Sequence, residues 1–153
     1  MTLLRSVIPL ALLLAAVSLA TAAEQPIGEA PGRAALEKQF VERLRSVVLE
    51  GTYTTTGEEA AKPDRYEIAS VAKLQGDLWL FQAKYGDTVL PPLPLRVLWA
   101  GDTPVISMNN LTIPALGTFS FRVMIHGDLY AGTWKHDEKG GHMTGTIKKQ
   151  KPE

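Results

Sequence analysis

Apolar and polar positions follow three different patterns along the chain. Residues 7–17 form one apolar run. Residues 33–49 carry apolar side chains at a spacing of four, which predicts an amphipathic helix that Gly51 ends. This stripe consists of Leu36, Phe40, Leu44 and Val48. From Thr52 onward apolar positions alternate with polar ones, which is the period of a β-strand.

The alternation is clearest in residues 118–126. One face of this run carries Phe119, Phe121, Val123 and Ile125, and the other carries Thr118, Ser120, Arg122 and His126. Similar runs occupy residues 51–56, 65–74, 78–85, 93–100, 104–108, 129–135 and 142–149. Because no helical stripe separates these runs, we expect eight or nine strands that pair as an antiparallel meander.

The predicted fold is therefore mainly β with one N-terminal helix, and its strands form a closed or partly open barrel. The alternative is an α+β fold in which the helix packs on a curved antiparallel sheet. Four Gly-Asp pairs lie between the strands, and we expect each to form a tight turn in which glycine takes a positive φ. These pairs begin at Gly76, Gly86, Gly101 and Gly127.

The apolar run near the N-terminus has the layout of a secretory signal peptide. Arg5 precedes it, and Ala20-Thr21-Ala22 follows it as a small-residue cleavage site. We predict a signal peptide over residues 1–22, a flexible leader over 23–32 and a single helix-plus-β-barrel domain over 33–153. Cleavage near Ala22 leaves a periplasmic or secreted protein of about 130 residues, with no stable membrane anchor.

Charge and cysteine content narrow the function classes. The chain has 153 residues, and its 16 Lys and Arg balance its 16 Asp and Glu, so its charge gives no indication of a nucleic-acid partner. It contains no cysteine, which excludes disulfides and a lipid-modified cysteine. A domain of this size forms a sufficient hydrophobic core without disulfides. We also expect no cofactor.

Catalytic and metal-binding patterns are weak. The chain has no Gly-x-Ser-x-Gly turn, and Glu58-Glu59, Asp64 and Glu67 supply paired carboxylates only if the fold brings two of them together. His136-Asp137-Glu138 and His142 place four potential metal ligands close together, but their spacing is typical of a polar hairpin loop. We therefore predict a protein that is not an enzyme and has neither catalytic nor metal-binding residues.

Aromatic residues in the strands are the strongest candidates for a binding site. The inner wall of a small barrel is either its core or the lining of a ligand pocket. Arg122 lies on the face opposite the phenylalanines of its strand, where it would anchor an anionic group or stack on an aromatic ring if that face lined a cavity. The predicted ligand-binding residues are Trp79, Trp99, Arg122, Tyr130 and Trp134.

Two segments resemble known small β-barrels. Tyr130-Ala131-Gly132-Thr133-Trp134, with the glycine-rich run over residues 141–147, resembles the closing hairpin of exported barrels of the lipocalin-like or avidin-like type. Residues 95–106 are similar to segments of uncharacterised bacterial small β-barrel proteins that carry signal peptides. The resemblance implies the barrel architecture and assigns no binding residues.

Three functions are compatible with these patterns. The first is an exported, non-enzymatic protein that binds a small apolar or amphipathic ligand in a barrel pocket. The alternative is a structural or protein-interaction module of unknown partner, whose barrel is filled by its own side chains and which exposes an apolar patch or an unpaired strand edge near residues 91–98. The third is a hydrolase or metal enzyme that uses His136, His142 or the acidic residues.

Overall fold

A computed structural model of the protein describes residues 32–150. The predicted signal peptide and residues 23–31 of the predicted leader lie outside this part of the chain. Strands account for 66% of the described residues. The elements, in chain order, are helix α1 (Arg33–Leu44) and strands β1 (Val47–Tyr53), β2 (Lys62–Gln75), β3 (Leu78–Tyr85), β4 (Thr88–Val89), β5 (Leu93–Ala100), β6 (Thr103–Ile113), β7 (Gly117–His126), β8 (Leu129–His136) and β9 (Lys139–Lys149).

Eight of the strands form a closed antiparallel barrel. Their order around the ring is β1-β2-β3-β5-β6-β7-β8-β9, and β9 pairs with β1 to close it. The short strand β4 lies outside this ring and extends the edge of β3 next to β5. The predicted mainly β fold with one helix is therefore confirmed, and the barrel is closed rather than partly open.

The predicted helix is wrong beyond Leu44, because Val48 lies in a strand. Ser46 has a φ of +51° and reverses the chain two residues after the helix ends. The residues that follow are rich in β-branched side chains, which favour strands. In β1 they pair with β2 on one side and with β9 on the other, and these two ladders outweigh the helical spacing. Gly51, predicted to end the helix, is an interior residue of β1.

The four Gly-Asp pairs form two-residue hairpin turns, as predicted. Each glycine has a positive φ, between +54° and +65°, and each aspartate does not. This combination matches the type II′ turn, which requires a positive φ only at its first central residue. Three of the turns, at Gly76, Gly101 and Gly127, join strands at the barrel end beside α1.

Helix α1 closes one end of the barrel with its apolar stripe. Leu36, Phe40 and Leu44 are buried, as the spacing of four predicts. The Phe40 ring lies 5.3 Å from the Trp79 ring and 5.9 Å from the Trp99 ring, both in edge-to-face orientation. This end of the lumen is therefore filled by packed side chains of the helix and the strands.

Polar contacts hold α1 in place. Lys73 of β2 pairs with Glu37 at 2.6 Å, and Arg43 pairs with Asp128 of the β7–β8 turn at 2.6 Å. Lys149 of β9 donates to the backbone carbonyls of residues 42, 43 and 45, which lack helical partners at the C-terminus of α1. Between residues 32 and 150, no helix is long and apolar enough to span a membrane.

Candidate functional site

A row of inward-facing residues crosses four strands, from near the α1 end of β8 to near the opposite end of β2. Tyr130 of β8 pairs with Gly145 of β9, Gly145 pairs with Gly51 of β1, and Gly51 pairs with Asp64 of β2. Since paired residues in an antiparallel sheet place their side chains on the same face, Tyr130 and Asp64 occupy the two ends of one row inside the lumen.

The two glycines make room for the Tyr130 side chain. A Cβ added at Gly145 would lie 2.7 Å from Tyr130 Cε1, and one added at Gly51 would lie 2.7 Å from the Tyr130 hydroxyl. The ring thus lies across β9 and its hydroxyl reaches over β1 toward Asp64. The Asp64 charge raises the pKa of Tyr130, which shows that the two side chains are neighbours, but they do not form a hydrogen bond.

Asp64 is a buried carboxyl without a partner. It is only 5% exposed, and no described donor meets either oxygen with hydrogen-bond geometry, although the Tyr66 hydroxyl and the Arg65 backbone lie near enough to oppose part of its pKa shift. Burial raises the pKa of Asp64 to about 6, and the smaller opposing effects of the Tyr66 hydroxyl and the Arg65 backbone do not cancel it. The side chain is therefore largely charged at neutral pH, in a place where charge is costly.

Two further tyrosines complete the surroundings of this carboxyl. Tyr66 lies two residues further along the inner face of β2, and its ring lies 4.9 Å from the ring of Tyr85, its partner on β3. Burial, followed by the Asp64 charge, raises the pKa of Tyr66, of Tyr85 and of Tyr130, the last to about 12. All three phenols therefore stay protonated at physiological pH.

We call Asp64, Tyr66, Tyr85 and Tyr130 the tyrosine–aspartate cluster. Tyr130 is 2% exposed and lies deep in the lumen, whereas Tyr85 is 44% exposed and lies at the rim. The cluster therefore extends from the barrel interior to solvent. The hydroxyl of Tyr130 also lacks a hydrogen-bond partner among the described residues, so the deep end offers polar atoms that protein groups do not satisfy.

The predicted binding residues Trp79 and Trp99 lie elsewhere, at the helix-filled end. Trp79 is 1% exposed and contacts Phe40, while Trp99 packs between Phe40 and the guanidinium of Arg33, which lies 5.0 Å from its ring. Their large side chains hold the helix against the barrel. The predicted residue Tyr130, by contrast, belongs to the tyrosine–aspartate cluster.

Arg122 lies on the outer wall, where it stabilises a β-bulge. In this bulge, Asn109 and Asn110 of β6 stand opposite the single residue Ser120 of β7. The Arg122 guanidinium donates to the carbonyl of Met108 at 3.0 Å and to the side-chain oxygen of Asn109. Ser120 contacts Asn110 through the backbone and the side chain of Asn110. Arg122 and the aromatic residues inside the barrel therefore do not form one site.

Trp134 lies near the end of the barrel that carries the tyrosine–aspartate cluster. Its indole N–H donates to the Thr54 carbonyl at 3.1 Å, and its ring lies 5.7 Å from the ring of Tyr53. These contacts attach the β1–β2 loop to the barrel rim. Of the five residues predicted for ligand binding, Tyr130 thus belongs to the cluster, and Trp134 lies at the barrel end that carries Asp64.

The histidines predicted to form a hairpin loop lie on opposite faces of the barrel wall. His136 faces inward and stacks on Phe119, with 4.2 Å between ring centroids. His142 pairs with the outward-facing Thr133. The turn itself is the two residues Asp137 and Glu138. Within residues 32–150, no group of three acidic or histidine side chains could hold a metal ion.

The other candidate carboxylates have partners outside the lumen. Glu67 receives a hydrogen bond from Arg65, and Glu58 pairs with Lys62 at 2.6 Å. Glu67 and Glu58 are therefore paired with cations and not with Asp64.

Two surface pockets are prominent. One, of about 460 Å³, lies beside the C-terminus of α1 and is lined by residues that include Arg43, Asp128 and Lys149. The other, of about 200 Å³, lies on the outer wall between Asn109, Arg122 and Lys135. Neither is lined by the tyrosine–aspartate cluster.

Sequence reasoning missed Asp64 and Tyr66 as site residues, although a signal was present. Residues 64, 66 and 68 alternate with charged ones, and Ile68 marks this face as the inner one. Asp64 stands where the pattern calls for an apolar residue. A charged residue on an apolar face of a predicted strand is the signal that points to this site.

Comparison with protein-family models, with curated proteins and with solved structures finds no match to this chain.

Proposed function

We propose that this protein is an exported, non-enzymatic binding protein that holds a small amphipathic ligand at the tyrosine–aspartate cluster. The observation that carries the proposal is the Asp64 carboxyl, 5% exposed and without a hydrogen-bond partner in the described chain. Buried polar groups nearly always have a partner, and an unpaired buried charge is characteristic of a functional site. A bound ligand would supply the missing partner.

The position of the cluster supports an amphipathic ligand. The α1 end of the lumen is filled by packed side chains, and Tyr85, the exposed member of the cluster, lies at the opposite rim. The tyrosine rings offer apolar faces, and the carboxyl and hydroxyls offer polar contacts. A ligand with one polar group and a short apolar body would satisfy both.

Tryptophan fluorescence tests this proposal. The purified protein would be titrated with hexylamine, hexanol and hexanoate, which share one apolar chain and differ in their polar group. We expect at least one of them to change the Trp134 emission saturably, because Trp134 lies at the barrel end that carries Asp64. Trp134→Phe should abolish the change and Trp99→Phe should preserve it. Absence of saturable binding by all three contradicts the proposed function.

The alternative, a structural or protein-interaction module without a ligand, is favoured by one feature of the outer wall. Leu98, Val105, Met124 and Ala131 stand opposite one another on β5, β6, β7 and β8 and form one apolar row. Leu98 is 44% and Met124 45% exposed. If a second copy of the chain covers this row, the protein sediments as a dimer and Met124→Lys makes it monomeric. Monomeric wild-type protein contradicts that arrangement.

A further inference from the structure

We propose that the ligand of the tyrosine–aspartate cluster is a protonated organic amine, with its ammonium group paired with the Asp64 carboxylate. This inference rests on the proposed function and names the ligand class. Asp64 is buried and unpartnered in the described chain, so the group that pairs with it must donate hydrogen bonds. A cation does so and also compensates the buried negative charge.

Cationic side chains close to Asp64 in the sequence are engaged elsewhere. Lys62, two residues earlier in β2, pairs with Glu58 at 2.6 Å. Arg65 contacts Glu67 and Glu50. The charge of Asp64 is thus left for a cation that the described residues do not supply.

The number of unsatisfied polar atoms matches a primary ammonium group. The two Asp64 oxygens and the Tyr130 hydroxyl oxygen are buried and have no hydrogen-bond partner within residues 32–150. An ammonium group carries three N–H donors and no acceptor. The Tyr130 hydroxyl reaches over Gly51 toward Asp64, so the three oxygens lie on the same side of the lumen, and the proposed ammonium would donate to them.

The aromatic rings around the cluster favour the same ligand. Tyr66 and Tyr85 form a tilted ring pair with 4.9 Å between centroids. Tyrosine faces attract cations electrostatically and also accept an alkyl chain. Tyr85 is 44% exposed, so an amine that reaches Asp64 would place its apolar body against this pair and toward solvent. A carboxylate ligand at this position would be repelled by the Asp64 charge.

Calorimetric titration of the purified protein with hexylamine, hexanol and hexanoate at pH 7.5 tests the inference. We expect a Kd for hexylamine at least tenfold lower than that for hexanol, and no binding of hexanoate. Asp64→Asn keeps the shape of the side chain and removes its charge, so the tenfold preference for hexylamine over hexanol should disappear. Arg122→Gln, on the outer wall, serves as the control and should bind as wild type does.

The outcomes separate this inference from the function on which it rests. Equal binding of hexylamine and hexanol, or a preference for hexylamine that persists in Asp64→Asn, overturns the amine inference and leaves the binding function standing. Absence of binding by all three probes overturns both. Circular dichroism of each variant establishes that it is folded. Tyr85→Leu, at the rim, should weaken hexylamine binding several-fold more than hexanol binding through the loss of the cation–π contact.

Discussion

Burial of the charged Asp64 carboxyl destabilises the folded barrel. Its oxygens lie among tyrosine side chains, and burial raises the pKa from 3.8 to about 6. For a carboxyl group this direction means that the folded state holds the proton more tightly than the unfolded state does. A position that lowers stability is typical of a residue retained for function.

The folded protein should lose stability as the pH rises from about 4 to about 6. In this window Asp64 is protonated in the folded protein and ionised in the unfolded chain. Its stabilising contribution to the free energy of unfolding is therefore fully present below pH 4 and lost above pH 6. The loss amounts to about 2–3 kcal/mol. Urea denaturation of wild type and Asp64→Asn across this range measures it. From pH 4 to pH 6, the free energy of unfolding of the wild type should fall by this amount relative to that of Asp64→Asn. A difference between the two proteins that stays constant over this range contradicts the expectation.

Gly145 is required for close approach rather than for a turn. A Cβ at this position would lie 2.3 Å from the Glu50 carbonyl oxygen and 2.7 Å from Tyr130 Cε1. Gly145→Ala should therefore destabilise the protein by about 3 kcal/mol or more, as overpacking does when backbone must move. The control is Gly32→Ala, which should cost at most about 1 kcal/mol, because Gly32 has a φ of −59° and a Cβ there would meet no described atom within 4 Å. Thermal unfolding of the two variants compares them, and similar melting temperatures would refute this role of Gly145.

At the scale of elements, the single helix shows what periodicity predicts and where it fails. The spacing of four correctly identified Leu36, Phe40 and Leu44 as the buried stripe. It extended the helix to residue 49 because Val48 continues the same spacing, whereas β1 is stabilised by ladders to β2 and β9 that are distant in sequence. Local patterns carry no information about such partners.

Phe40 should be the main anchor of α1. It is 3% exposed and contacts Trp79 and Trp99, so Phe40→Ala should cost about 3–5 kcal/mol and shift the tryptophan emission to longer wavelength as water reaches the rings. Gln39→Ala, an exposed neighbour on the same helix, is the control and should leave both quantities unchanged. Emission of the folded Phe40→Ala variant identical to that of wild type would show that α1 does not cover these tryptophans.

For the whole molecule, architecture was more predictable from sequence than the site. Alternation and the Gly-Asp turns specify which strands exist and which neighbours pair, and strands β3 and β5 match the predicted runs residue for residue. Closure of the ring by β1 and β9, which lie almost a hundred residues apart, follows from no local signal. The site depends on that closure, because β8, β9, β1 and β2 bring Tyr130 next to Asp64 only when the ring is closed.

The five residues predicted for ligand binding do not lie together, because their positions also depend on the assembled barrel. Trp79 and Trp99 are strand-borne aromatics, and the helix that covers them is identifiable only from the assembled barrel. Arg122 lies on the polar face of its strand, and that face is the outer wall, where Arg122 stabilises a bulge. Tyr130 belongs to the tyrosine–aspartate cluster, and its role in ligand binding stays a prediction.

The central claim is that Asp64 is a buried charge that a ligand neutralises, and carbon-13 NMR of the Asp64 carboxyl tests it most directly. The resonance, assigned by its absence from Asp64→Asn, would be titrated with acid in the free protein and with saturating hexylamine. The account predicts a pKa of about 6 for the free protein. With the amine bound, that pKa should fall by at least one unit, because an adjacent cation stabilises the carboxylate. An ordinary pKa near 4 in the free protein, or a pKa that hexylamine leaves unchanged, would contradict the account.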